Sequence, residues 1–511
     1  MGKVGRRTVR KGVLACLGVL GIVSPGFATD LVVKSDLGAL RGEAIGDGAA
    51  FRGIPYAAPP VGALRWKDAQ PATPWQGVRD ATDFGPACIQ PIVDAHSPQN
   101  QNEDCLTLNI VTPDRKAKGL PVLFSIHGGA FFVGSNRYVA HKDITSLLQR
   151  GVILVAPNYR LGRMGFFAHP ALTAEAGRGT GNFWLTDQIA ALQWVKRNIA
   201  AFGGDPDRIT IQGCSAGGSS VNSLMVSPRA RGLFARAAVH SGGGLFNATR
   251  PLARAEREGV AFAGRVGVEG EGAAALAALR ALTAGQVLAG DSGAPNFGAI
   301  IDEYYLPSGI GLAYATGAQA PVPLIAGSTS NEASVFGLMG FDASVLKSRF
   351  DIDLETLRPA YERDGELSDQ EFLRRVQTDF IFTSAALGIP SLASRLAPAW
   401  AYHFDYLPAA SRGEMPGAPH CADMSYLYSL TEPADANDRM VGEIMRGYWY
   451  NFIATGNPNG PALPIWPQAK PGVWSPLVIG DPLRIAPDYQ IERMRLWHAK
   501  WLRESGAPIL P

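Results

Sequence analysis

Strong charge of either sign is the first thing this sequence lacks. Among 511 residues, 47 Lys and Arg meet 45 Asp and Glu, a formal net charge of +2, so no basic surface argues for a nucleic-acid partner. Long apolar runs are also missing. Beyond the first 28 residues no stretch reaches the roughly 20 apolar residues that cross a bilayer, and stable membrane insertion is not expected. Histidine (8) and cysteine (5) are sparse and nowhere share the spacing of metal ligands, so neither a metal nor an organic cofactor is expected. Internal repeats and a linker-like stretch are absent, which excludes a solenoid and favours one large domain. The chain that remains is 46% hydrophobic and 18% charged, an ordinary globular balance rich in loop-forming Gly and Pro.

The first residues read as a processing segment. Lys3, Arg6, Arg7, Arg10 and Lys11 precede an apolar run from Val13 to Val23 that is too short to span, and Gly26-Phe27-Ala28 supplies small residues for cleavage. A signal peptide over 1–28 and a mature domain over 29–511 follow, with a secreted or periplasmic destination. A lipid anchor at Cys16 is the rival reading, although most of the apolar run lies after that cysteine. Loss of the five cations takes the net charge from +2 to −3. Four cysteines stay in the mature chain, an even number that suggests two disulfides in an exported protein.

The chain is organised around residues 202–218. A β-type run, Ile209 to Gln212, enters Gly213-Cys214-Ser215-Ala216-Gly217, and a small-residue helical segment follows. Strand, sharp turn and helix around G-x-S-x-G form the context of a nucleophile elbow. Glycine is needed at 213 and 217 because side chains there would collide with neighbouring backbone. The turn exposes the Ser215 hydroxyl, with a helix N-terminus behind it to favour developing negative charge.

The fuller frame, Phe202-Gly203-Gly204 followed by Ile209, Ile211, Gly213, Ser215, Ala216 and Gly217, resembles the active-serine signature of type-B carboxylesterases, the family of cholinesterases and lipases. Further blocks resemble the same family at Phe51 to Trp66, at Glu103-Asp104-Cys105-Leu106-Thr107-Leu108-Asn109 and at Tyr448 to Asn459. The resemblance implies an α/β-hydrolase fold: one domain with a mostly parallel central sheet flanked by helices. It also implies a Cys88–Cys105 disulfide and two structural ion pairs, Arg65–Glu103 and Arg160–Asp187. After the buried-strand pattern Pro121 to Ile126 comes His127-Gly128-Gly129-Ala130, where missing side chains let backbone N–H groups converge. The resemblance makes this the oxyanion loop (Gly128, Gly129, Ala130), with donors at Gly129 and Ala130 joined by Ala216.

The strand Pro323 to Ala326 leads to Glu332, a carboxylate at the end of a strand, where open α/β sheets place a catalytic acid. Relatives have glutamate at this spacing; Asp302 is the runner-up. Gly417-Ala418-Pro419-His420 resembles the family's histidine loop and makes His420 the base, so the order Ser215, Glu332, His420 is that of α/β-hydrolases. The resemblance implies that Ser241 supports the triad from behind; Asp423 is expected to anchor the histidine loop, and His240 is a rival base. Two cysteines depart from the usual pattern, Cys214 directly before Ser215 and Cys421 directly after His420. A working Ser–His contact of about 3 Å would bring these neighbours within the roughly 4.4–6.8 Å Cα span of a disulfide. A Cys214–Cys421 bridge is expected, with two buried thiols as the alternative, and the pairing resembles that of tannases and feruloyl esterases.

Together these features predict a serine carboxylic-ester hydrolase acting on a small-molecule ester through an acyl-enzyme. A narrower aromatic-acid esterase is one alternative. A non-catalytic binding protein is another, and it expects a broken triad.

Overall fold

Runs of Val, Ile, Leu and Phe without helical period become the strands of one eleven-stranded sheet. The computed structural model describes residues 1–2, 31–139, 145–246, 249–291, 297–339, 342–428 and 435–507. Apart from residues 1 and 2, the expected signal peptide, with Cys16, lies outside them.

The strands are β1 (Glu43–Ile45), β2 (Gly48–Pro55), β3 (Thr107–Thr112), β4 (Leu120–Ile126), β5 (Ile153–Pro157), β6 (Gly204–Cys214), β7 (Arg236–His240), β8 (Leu324–Thr329), β9 (Ala399–Phe404), β10 (Leu477–Ile479) and β11 (Arg484–Ile485). Their order across the sheet is β11-β10-β9-β8-β7-β6-β4-β5-β3-β2-β1. From β5 to β10 every pairing is parallel. The pairings at the two edges are antiparallel. The fold is thus the expected α/β-hydrolase arrangement.

Both faces of the sheet are covered. In β4, Val122 and Phe124 enter one core and Leu123 the other. Helix α1 (Phe183–Asn198) covers the first face with Trp184, Leu185, Leu192 and Trp194, and α2 (Ala216–Val226) lies beside it. Helix α4 (Ala436–Thr455) covers the second face with Met445, Trp449 and Phe452; α3 (Ala343–Phe350) lies earlier in the chain. Each such apolar side chain stabilises the fold by about 1.5–3 kcal/mol. Double coverage buries all six residues of β3, the polar Thr107, Asn109 and Thr112 included.

Two ion pairs and a disulfide lock the loops around this sheet. Arg160 meets Asp187 through Nε–Oδ2 at 2.8 Å and Nη2–Oδ1 at 2.7 Å, tying the segment after β5 to α1. Arg65 meets Glu103 at 2.8 and 2.5 Å. Cys88 is bonded to Cys105 with Cα atoms 5.0 Å apart. Strand order reverses between β4 and β6, because β5 lies on one side of β4 and β6 on the other. A crevice at such a reversal, beyond the strands' C-terminal ends, is where open α/β sheets bind ligands.

Candidate active site

The C-terminal end of β6 turns into α2 through one residue. Ser215 has φ 58° and ψ −125°, a left-handed conformation that a non-glycine residue adopts only under constraint. Close packing supplies the constraint. A Cβ on Gly213 would lie 2.4 Å from the carbonyl carbon of Gly217, and one on Gly217 would lie 2.2 Å from the Ile126 oxygen. The elbow is pinned further by the Ser215 N–H, which donates to the His240 carbonyl at 3.0 Å.

The loop after β4 leans on this turn. A Cβ on Gly128 would meet the Cys214 carbonyl oxygen at 2.8 Å and the Ser215 Cβ at 3.3 Å, so only glycine lets the loop approach so closely. Gly129, Ala130 and Phe131 follow with φ of 107°, 49° and 65°, a sharply bent segment. His127 stays out of the site. Its ring stacks on Tyr159 at 4.3 Å, and burial lowers its pKa to about 4.

The loops that carry Glu332 and His420 meet at Glu332, which is fully buried. Its Oε1 accepts from the Ser241 hydroxyl at 2.7 Å and from the Thr329 N–H at 2.7 Å, and its Oε2 is paired with His420 Nδ1. With Nδ1 donating to a carboxylate, the neutral imidazole has its lone pair on Nε2. That atom is buried and has no hydrogen-bond partner among the described residues. The loop carrying His420 is held to the acid loop by Asn331 N–H to Ala418 O at 2.9 Å and by His420 N–H to Ser334 Oγ at 2.9 Å. The Phe382 ring packs 4.9 Å from the imidazole. A second disulfide joins Cys214 to Cys421, with Cα atoms 6.1 Å apart, so the residue before Ser215 is bonded to the residue after His420.

The two alternative groups are occupied elsewhere. Asp302 Oδ1 accepts the N–H groups of Tyr304, Tyr305 and Leu306, and its Oδ2 accepts from Asn182. His240 is buried behind the elbow. Trp449 Nε1–H donates to its Nε2 at 3.2 Å, so Nδ1 carries the proton and donates to Asp423 Oδ2 at 2.6 Å. The Tyr402 hydroxyl also donates to Asp423 Oδ2 at 2.6 Å. Burial pushes the Asp423 pKa up, but the contacts with His240 and Tyr402 outweigh it and hold the carboxyl below its ordinary value. Asp423 thus ties the histidine loop to the end of β7.

Ser215 opens onto a pocket of about 880 Å³, counting its open mouth, bordered by Ala130, Phe131, Ala216, Phe246, Phe336 and Phe382 among others. Trp184 does not border it. Its indole lies 5.0 Å from Phe131 and 5.1 Å from Phe166, as packing behind the wall. Sequence reasoning missed Phe382, Tyr402 and Trp449: the first two sit in no recognisable motif, and the block at Tyr448 to Asn459 gives Trp449 no role at the site. Of the buried network, the sequence singled out His240 and Asp423 but did not link them.

The model of the family described as "Carboxylesterase family" matches residues 29–497. A para-nitrobenzyl esterase of Bacillus subtilis is 32% identical over 500 residues, 92% of this chain and 99% of that one. A fumonisin B1 esterase of Sphingopyxis macrogoltabida is 33% identical over 474 residues, covering 86% of this chain and 84% of that one. A solved PNB esterase structure superposes with a TM-score of 0.80 at 30% identity, over 92% of this chain and 100% of the other.

Proposed function

The chain belongs to the carboxylesterase family and is a carboxylic-ester hydrolase, and from that premise we propose that Ser215, His420 and Glu332 carry the reaction. His420 Nε2 takes the proton of the Ser215 hydroxyl as Oγ attacks the ester carbonyl. Glu332 holds Nδ1–H, fixes the tautomer and stabilises the imidazolium that forms. The oxyanion is met by the N–H groups of Gly129, Ala130 and Ala216. His420 then returns its proton to the leaving alkoxide, giving the alcohol and an acyl-enzyme. Water, deprotonated by the same imidazole, attacks the acyl carbonyl, and the acid and free serine are regenerated.

The observation that carries this reading is the buried His420–Glu332 pair, whose free Nε2 belongs to a loop bonded covalently to the nucleophile elbow. A direct Ser215–His420 hydrogen bond is not required beforehand, because such bonds often tighten only when substrate binds. The phenyl rings around the pocket suit an apolar acyl or aryl group. We further infer that residues 1–28 are a signal peptide and 29–511 the mature domain, exported to an oxidising compartment. The two disulfides are compatible with export, and among the described residues no helix is long and apolar enough to cross a membrane.

The experiment is kinetic. Ser215→Ala and His420→Ala should each lower kcat for 4-nitrophenyl butyrate by about 10⁴-fold or more, and the double variant should lose little beyond either single one. A Ser215→Ala protein that retained the parent rate would overturn the assignment.

A further inference from the structure

The pocket beside Ser215 contains a charge that hydrolysis of a neutral ester does not need. Most of its wall is apolar, but Arg349, near the end of α3, borders the same cavity. The guanidinium carbon lies 5.2 Å from the centroid of Phe350, another lining residue, so the charged group rides on the pocket's own aromatic wall.

Arg250, Arg254 and Glu258 all lie close enough to act on Arg349 electrostatically. Arg250 Nη1 meets Glu258 Oε2 at 2.7 Å, and Arg254 Nε meets Glu258 Oε1 at 3.0 Å, so both oxygens of that carboxylate are engaged. Arg250 also donates to the carbonyl of Gly298 at 3.0 Å and directly follows Thr249; Gly298 and Thr249 both border the pocket. Burial, and then the charges of Arg254 and Arg250, lower the pKa of Arg349, while Glu258 opposes them. Arginine nevertheless stays protonated at any ordinary pH. Two guanidiniums therefore share one carboxylate near the cavity, and Arg349 lies within electrostatic reach of all three groups. A guanidinium has five N–H donors in a planar fork that matches a carboxylate, so it can bind an anion alongside the contacts it already makes.

We propose that Arg349 is a specificity residue for esters that carry a second, ionised carboxyl group, such as monoesters of dicarboxylic acids. The proposal rests on Ser215 being the nucleophile, since it needs the scissile ester and the free carboxylate to occupy one cavity. The apolar rings would hold the methylene chain between them.

A matched pair of substrates tests this. The 4-nitrophenyl monoester of adipic acid and 4-nitrophenyl hexanoate differ only in carboxylate against methyl at the far end of the acyl chain. In Arg349→Gln, kcat/KM for the adipate monoester should fall about tenfold, the low end of what charge focusing in a cleft supplies, and that for hexanoate should change less than about twofold. Arg349→Glu should lower the adipate value further and leave hexanoate near the parent rate. Equal changes for both substrates, or an unchanged adipate-to-hexanoate ratio in both variants, would overturn the specificity role while leaving the nucleophile assignment intact. A parent enzyme inactive on both esters would overturn both.

Discussion

Ala130 pays a conformational cost in the sharp bend after β4. Its φ of 49° lies in the left-handed region, where an L-residue with a Cβ is disfavoured by roughly 1–2 kcal/mol. Ala130→Gly keeps the N–H and removes that strain, against a smaller loss from the freer unfolded chain. Chemical denaturation should give a gain of about 0.5–1 kcal/mol, with 4-nitrophenyl butyrate hydrolysis within about twofold of the parent. A less stable variant would mean the methyl group packs usefully where it is. Ser241 makes a different residue-scale prediction. Its hydroxyl is one of two donors to Glu332 Oε1. Ser241→Ala should lower kcat about tenfold with KM nearly unchanged, because a hydrogen bond to a charged group contributes about 1.5–3 kcal/mol. A fall in stability with kcat intact would make the serine purely structural.

At the scale of elements, the two disulfides do different work. Cys88–Cys105 closes a separation of 17 residues, whereas Cys214–Cys421 closes one of 207 and joins the elbow to the histidine loop. Replacing either pair by alanine should cost about 2–4 kcal/mol of stability, the longer closure at the upper end. Only Cys214→Ala/Cys421→Ala should also lower kcat at temperatures where the protein remains folded. Thiol titration of the unfolded, unreduced mature chain should find no reactive thiol, and two per chain would contradict the second bridge.

The elements also explain what could be read without coordinates. The elbow was legible because its backbone path leaves room for nothing but glycine at 213 and 217, and such a demand leaves its mark on the sequence. Residues 252–265, 273–281 and 284–289, rich in Ala, Leu and Arg, are helical, as that composition favours. Strand ends were less legible: Ile209 to Gln212 is only the centre of β6, whose outer residues lack β-type composition. The partners of His240 were not legible. Tyr402 lies on β9 inside an ordinary apolar pattern and Trp449 on α4 inside the block that resembles the family, and only tertiary packing brings them to one imidazole. Arg349 was hidden for the same reason, as one of two basic residues on an exposed helix until the pocket is seen beside it.

For the whole molecule, two buried imidazoles set the response to acid. Burial lowers the pKa of His127 and of His403 to about 4, below the unfolded value of about 6.5. Above about pH 6.5 neither state binds these protons. As pH falls from there toward 4 the unfolded chain takes them up and the folded one does not, so stability drops, by about 1.4 kcal/mol per pH unit for each histidine. His403→Gln should therefore lessen the stability lost between pH 6.5 and 5 by about 2 kcal/mol, measured by urea denaturation at both values. An unchanged pH slope would place the acid response in other groups.

The account depends on three loops delivering a hydroxyl, an imidazole and backbone donors to one point. Its most direct measurement is a crystal structure of the protein inactivated by a 4-nitrophenyl alkylphosphonate. The predicted adduct has phosphorus bonded to Ser215 Oγ. Its phosphoryl oxygen should lie about 3 Å from the amides of Gly129, Ala130 and Ala216, with His420 Nε2 about 3 Å from Oγ or the remaining ester oxygen. Phosphorus on another side chain, or an adduct at Ser215 with the His420 ring turned away, would contradict it.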